Sequence, residues 1–123
     1  MTIFGAIGAA GSGMTLARKW MDAVGDNLAN MNNVTRTTEG AFQQRYVVAQ
    51  AKDYGASRID SAGGVDIAGV TMSQSVAPTR EDGNNVNLDA ETLSSVDTQL
   101  RYQLLTQAAS GKLTSISAAL RTN

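Results

Sequence analysis

The 123-residue chain contains no cysteine and no histidine, and these two absences exclude several classes of function. Without cysteine there is no thiol catalysis, no disulfide and no thiolate ligand for zinc. Without histidine the chain lacks the side chain that most often acts as a general base near neutral pH. We therefore expect no enzyme activity, no metal centre and no bound cofactor.

Aromatic residues and excess charge are scarce as well. Aromatic residues make up 5% of the chain and apolar residues 42%, a composition that buries a thin helix–helix seam more easily than a thick globular core. The formal net charge is −1, and the basic residues are scattered, so we expect no nucleic-acid partner. One domain fits this length.

The first 17 residues carry no charged side chain. They lack the positive region that opens a cleaved signal peptide. They are also too short, and too rich in glycine, serine and threonine, for a membrane span. We therefore expect no direct membrane insertion, and export, if it occurs, without cleavage.

An apolar heptad pattern covers the first quarter of the chain and predicts a helix over residues 2–31. Its members keep an unbroken four-three spacing: Ile3, Ile7, Ala10, Met14, Ala17, Met21, Val24, Leu28 and Met31. Five glycines inside this helix each cost roughly 0.5–1 kcal/mol relative to alanine. We therefore expect the helix to form when a partner covers its seam. A second stripe is small enough to admit a close neighbour: Ala6, Ala10, Gly13 and Ala17.

A second helix is predicted from about Asp89 to Arg121. Either Asn87 or Asp89 can be its N-cap, and Glu91 lies in its acidic first turn. Its apolar stripe drifts around the helix, which indicates more than one partner. The stripe begins with Leu93, Val96, Leu100 and Leu104 and continues with Leu105, Ala109, Leu113, Ile116 and Leu120.

The polar middle of the chain predicts a short β-hairpin, which is marginal by itself in water. Its parts, in order, are a turn at residues 32–41, a strand at Phe42–Gln50, a flexible loop at residues 52–64, a strand at Val65–Val76 with a bulge at Ala68-Gly69, Pro78 as the strand stop, and a turn at residues 81–85.

These elements predict a mainly α fold. Residues 1–31 and 89–123 form a coiled-coil-like pair of terminal helices in one helical domain, and residues 32–88 form the loop and hairpin. The glycine-rich segment 8–15 has the spacing of a phosphate-binding loop, but Met14 stands where that loop requires lysine. No catalytic arrangement is therefore predicted.

The segment at residues 21–33, MDAVGDNLANMNN, resembles the NxANxxT signature of bacterial flagellar axial proteins. The matching positions are Asn27, Ala29, Asn30 and Asn33. The first half of the chain, including FQQRYVV at residues 42–48, is similar to one protein of the proximal rod. REDGNNVNLDAE at residues 80–91 and LRYQ at residues 100–103 are similar to a different one. The chain thus resembles the flagellar basal-body rod protein family.

This resemblance implies a structural subunit of the proximal rod with the D0-type helical domain of axial proteins. In the family the terminal helices of neighbouring subunits pack as coiled coils around an export channel. The implied location is the rod of the flagellar basal body, reached through the type III export apparatus without signal cleavage. The implied partners are copies of the chain, other rod subunits, and adjacent ring and rod-junction proteins.

We expect subunit packing to use the apolar positions of both helices: Ile7, Met14, Met21, Leu28, Leu93, Val96, Leu100, Leu104, Leu113, Ile116 and Leu120. Asn27, Asn30 and Asn33 are expected to bond backbone groups freed at the helix exit. The alternative hypothesis is a soluble, monomeric helical hairpin that acts as an adaptor and binds a partner helix through the same seam. Full helicity in a dilute monomer would favour the adaptor.

Overall fold

The computed structural model describes residues 3–33, 40–51, 67–81 and 83–121. Its elements in chain order are helix α1 (Ile3–Ala29), strand β1 (Arg45–Ala51), strand β2 (Ile67–Gln74) and helix α2 (Leu88–Arg121). Two long helices pack together and a two-stranded antiparallel hairpin lies between them in sequence, so the predicted fold class is confirmed. The predicted loop at residues 52–64 and most of the turn at residues 32–41 lie outside the described residues.

The two helices run antiparallel. The Arg101 guanidinium carbon lies 5.7 Å from the centre of the Trp20 ring, and the Thr106 hydroxyl donates to Met14 Sδ at 3.6 Å. Residue numbers therefore rise on α1 as they fall on the facing part of α2. The two terminal helices pack on each other within one chain, as predicted for the pair of terminal helices.

Small residues line the surface between the helices. On α1 the buried residues include Ala10, Ala17 and Ala23. A Cβ atom placed on Gly13 would lie 3.0 Å from Leu105 Cδ1, so the small stripe does admit a close neighbour, which is a side chain of α2. Thr98 is buried one heptad before Leu105 on the same face of α2.

The hairpin pairs Arg45 with Gln74, and the register continues along both strands. Gln50 pairs with Gly69 and Ala51 with Ile67, so Ala68 is the extra residue. The predicted bulge is confirmed. Strand β1 begins at Arg45 rather than at the predicted Phe42 and ends at Ala51 rather than Gln50, and β2 ends at Gln74 rather than at the predicted Val76. The predicted start of the second strand at Val65 lies outside the described residues.

Helix α2 begins at Leu88, with Asn87 as its N-cap. Asn87 Oδ1 accepts hydrogen bonds from the N–H groups of Asp89 at 3.0 Å and Ala90 at 3.2 Å. This decides between the two candidate caps, and Asp89 lies in the first turn instead. Neither described helix is long and apolar enough to cross a membrane.

Candidate assembly surface and the amide cluster at the hairpin base

Four amide side chains join the hairpin to both helices, and we call Asn27, Gln44, Asn84 and Asn85 the amide cluster. Asn27 is 1% exposed, near the end of α1. Its Oδ1 accepts the N–H of Arg45 at 2.7 Å, and its Nδ2 donates to the carbonyl of Arg45 at 2.8 Å. The side chain thus pairs with β1 as a neighbouring strand would, and it fixes the strand to the helix.

Asn85 has a similar role between the two strands. Its Oδ1 accepts the N–H of Gln44 at 2.6 Å, while its Nδ2 lies 3.4 Å from the carbonyl oxygens of Ser75 and Ala77. The Ser75 N–H donates to the Gln44 carbonyl at 2.7 Å, so the ladder extends one pair beyond Arg45 and Gln74. Asn85 Oδ1 therefore accepts the Gln44 N–H in place of a backbone carbonyl of the opposite strand.

Asn84 holds the loop before α2 against the end of α1. It is fully buried, and its Nδ2 donates to the carbonyl oxygens of Asn30 at 2.9 Å and Asn33 at 3.0 Å. Its Oδ1 accepts the N–H of Val86 at 2.8 Å. Carbonyl groups beyond the last turn of a helix need such donors, and here a residue more than fifty positions away supplies them.

The motif asparagines therefore have different roles. The Asn30 side chain donates to the carbonyl of Asp26 at 2.8 Å, within the last turn of α1, as expected for a residue at the helix exit. Asn27 bonds the strand instead, and Asn33 contributes its backbone carbonyl. Ala29 is exposed at the last position of α1.

Sequence reasoning assigned Asn84 and Asn85 only to a turn, and their contacts with distant backbone were missed. The turn itself is present: the Gly83 N–H donates to the Arg80 carbonyl at 2.9 Å, and Gly83 has a φ of 80°. Two adjacent asparagines directly after a glycine were the available signal. Their partners lie in other elements, which no local pattern identifies.

Charged groups surround the amide cluster. Arg45 Nη1 lies 3.0 Å from Asp26 Oδ2 in a half-exposed ion pair. Glu91 is buried in the first turn of α2, where its Oε1 accepts from Gln44 Nε2 at 2.6 Å. Its Oε2 has no hydrogen-bond partner among the described residues. Among all the residues that the structure describes, no group of three or more acidic side chains could hold a metal ion.

The outer face of α2 carries four large apolar side chains, which we call the outer stripe. At 100° per residue they fall within an arc of about 80°, on the side of α2 opposite to Thr98 and Leu105. They are 53–73% exposed. The members of the outer stripe are Leu93, Val96, Leu100 and Leu104.

The other predicted packing residues divide by helix. Leu113 and Leu120 are exposed near the end of α2, and Ile116 is half-buried. On α1 the half-buried members are Ile7, Met14 and Met21, and Leu28 is exposed. The drift of the α2 stripe thus separates the exposed outer stripe from residues such as Leu105 and Ala109, which are half-buried.

A shallow apolar groove follows the line where the helices meet. It has a volume of about 230 Å³, and its lining includes Trp20 and Leu16 on α1 and Leu104 and Leu105 on α2. Arg101 lies at the same groove, with its guanidinium near the Trp20 ring and bonded to Asp97 Oδ2 at 2.7 Å. The groove continues the apolar surface from the outer stripe towards α1.

A known protein family is similar to part of this chain. Residues 7–36 match the family model described as flagella basal body rod protein, a stretch that holds all the motif asparagines. No curated protein matches the chain. A structural role in the rod and a location in the flagellar basal body are supported on this ground. The match supports the assignment of the chain to the flagellar basal body rod protein family, which the motif at residues 21–33 predicted.

Proposed function

We propose that the chain is a structural subunit of the proximal rod, which assembles helically with copies of itself and with other rod subunits. The observation that carries this proposal is the exposed outer stripe of α2. A helix that presents four large apolar side chains to water is typical of a surface that another chain covers.

The energetics favour completion of this surface by neighbours. Full burial of a leucine or valine side chain stabilises by about 1.5–3 kcal/mol, and the outer stripe leaves most of that gain unused in one chain. The fully buried residues of the two helices are mainly alanine, together with Thr98 and Glu91, and larger side chains between the helices such as Leu105 and Met14 are only half-buried, so the apolar gain within one chain is limited. A partner helix on the outer stripe therefore supplies much of the missing stabilisation.

Head-to-tail assembly needs two different surfaces on each subunit, because a contact between identical surfaces closes into a dimer. The outer stripe is one such surface. The other must lie away from the outer stripe, and Phe4, near the start of α1, is an exposed apolar residue that can belong to it. Export without cleavage and contacts with ring and rod-junction proteins belong to the same proposal, and they rest on the family resemblance.

Replacement of Leu100 by aspartate tests the proposal. Leu100→Asp places a charge in the centre of the outer stripe, and we expect loss of rods and of motility in cells that carry only this variant. The purified monomer should keep the helical content of the wild type, because Leu100 contacts solvent in the single chain. Ser110→Asp, an exposed position on the flank of α2, is the matched control and should assemble normally.

Normal rods built from Leu100→Asp would contradict the proposal. Circular dichroism separates it from the adaptor hypothesis. A melting temperature that rises with protein concentration supports assembly, whereas helicity and a melting temperature that do not change with concentration in a persistently monomeric sample would favour the adaptor.

A further inference from the structure

The direction of the backbone groups on β1 follows from bonds at its first residues. The Ser75 N–H donates to the Gln44 carbonyl, so the backbone carbonyl of Gln44 points towards the β2 side. Arg45 faces the opposite way, and both of its backbone groups bond Asn27. Since direction alternates along an antiparallel strand, Val47 and Ala49 also point their N–H and C=O groups away from β2.

These outward groups form an open edge. Asn27 satisfies the edge at Arg45, but no hydrogen bond from another described residue reaches the outward groups of Val47 or Ala49. Their register partners on β2 are Met72 and Val70, which face outward on the other side by the same alternation. Among the described residues, the two-stranded sheet therefore has an unpaired edge on each side.

Neither strand carries the residues that usually block edge pairing. Proteins protect exposed edges with charged side chains, above all lysine, or with proline. The sequences RYVVAQA and IAGVTMSQ contain one charged residue, Arg45, and it is paired with Asp26. Beyond Arg45 the outer edge of β1 is uncharged and has no proline.

We propose that the outer edge of β1 pairs with the outer edge of β2 in a second copy of this chain. The hairpins of successive copies then form one continuous antiparallel sheet. This inference rests on the proposed assembly into rods and names a contact separate from the outer stripe. Because β1 meets β2 rather than another β1, the contact propagates instead of closing.

Substitution of Val47 by proline tests the edge directly. The Val47 N–H points away from β2, so Val47→Pro removes one outward donor and leaves the ladder within the hairpin intact. We expect the concentration needed for half-maximal self-association, measured by sedimentation velocity, to rise at least tenfold. Amide exchange at Tyr46 and Val48 should stay slow, which shows that the hairpin has kept its fold.

Val47→Thr is the matched control, because it keeps the N–H and a β-branched side chain, and it should associate as the wild type does. Ala49→Lys is a second variant that introduces a charge on the exposed edge strand without a proline ring, and it should weaken association in the same direction.

Association of Val47→Pro at the wild-type concentration overturns the edge pairing, and so does a wild-type species that stops at the dimer. Rods that form normally with Val47→Pro but fail with Leu100→Asp overturn the edge pairing and leave the proposed function standing. Rods that form normally with both variants overturn both proposals.

Discussion

The buried positions of this chain and the outer face of α2 differ in polarity, in the reverse of the usual sense: polar side chains are buried and large apolar side chains are exposed. Buried positions include Asn27, Asn84 and Thr98, whereas Leu93 and Leu100 are largely exposed. A globular domain that functions alone buries its leucines and exposes its asparagines. The difference indicates that polar groups fix the geometry of the single chain, while large apolar groups remain for contact with neighbouring subunits.

Physical chemistry explains this division. Hydrogen bonds are directional, so a buried amide with all of its bonds made specifies one arrangement of the elements around it. Apolar burial is non-directional and depends mainly on the area removed from water. The amide cluster can therefore define where the hairpin and α2 begin, and the outer stripe can supply the free energy of assembly.

The largest expected difference in unfolding free energy is between an aspartate at buried Asn84 and an aspartate at exposed Leu100. Asn84→Asp puts a carboxylate opposite the carbonyl oxygens of Asn30 and Asn33, in a fully buried position. An uncompensated buried charge costs about 3–5 kcal/mol in unfolding free energy. Leu100→Asp should change the stability of the monomer by less than about 0.5 kcal/mol, because the site is exposed. Urea unfolding of both monomeric variants gives the comparison.

Asn87→Asp is the control for the first variant. Asn87 is exposed and its Oδ1 caps α2, a role that aspartate performs about as well. We expect a change of less than about 0.5 kcal/mol. If Asn84→Asp were no more harmful than Asn87→Asp, the amide cluster would not fix the fold and the comparison would fail.

The next effect separates two asparagines of the family motif. Asn27→Ala leaves both backbone groups of Arg45 without partners near the end of α1, at a cost of about 2–3 kcal/mol. Asn30→Ala removes one bond to a carbonyl that also accepts the Asn30 N–H, so its cost should be about 0.5–1 kcal/mol.

Hydrogen exchange sharpens this second prediction. Asn27→Ala should accelerate exchange across β1, because the strand loses its attachment to α1, whereas Asn30→Ala should affect only the last turn of α1. Equal acceleration across β1 in both variants would show that the motif acts as a helix terminator and does not hold the strand.

Local patterns in the sequence predict the elements of this fold well. The heptad from Ile3 to Met31 predicts α1 to within two residues at each end, and the Ala68-Gly69 pair predicts the bulge. These features depend on periodicity and on residues adjacent in the chain. The bonds of Asn84 and Asn85 depend on residues up to 54 positions away, so they follow from the packed structure alone.

The residues of the candidate assembly surface could be predicted from the sequence, but which of them face α1 and which face solvent could not. The sequence shows that the α2 stripe drifts, yet it does not show which part faces α1. That choice depends on the close approach of Leu105 to Gly13, which turns Leu100 and Leu104 outward. Whether the exposed members form the subunit contact stays a prediction.

A smaller effect tests Glu91, which is buried beside the amide cluster and whose Oε2 has no hydrogen-bond partner among the described residues. Glu91→Gln keeps the oxygen that accepts from Gln44 Nε2, but it makes this acceptor neutral and puts an NH2 group where Oε2 has no partner. We expect the unfolding free energy to fall by about 1 kcal/mol. Asp89→Asn, at an exposed site in the same turn, should lower it by about 0.3–1 kcal/mol, because it removes a charge that α2 favours at its N-terminus.

Chemical denaturation at neutral pH measures both variants. A gain of stability in Glu91→Gln would mean that desolvation of the carboxylate outweighs its bond to Gln44 and its interaction with the N-terminus of α2. Glu91 would then not belong with the groups that stabilise the single chain.

The smallest effect concerns the glycines of α1. Gly25→Ala meets no atom within 4 Å, so the better helix propensity of alanine should stabilise the monomer by about 0.5–1 kcal/mol. Gly13→Ala places its Cβ 3.0 Å from Leu105 Cδ1 and 3.1 Å from Cδ2, and the required shift of Leu105 should cancel most of that gain. Thermal unfolding of the two variants measures the difference. Equal gains would show that Leu105 moves freely, and the close approach at Gly13 would then not decide which apolar residues of α2 face outward.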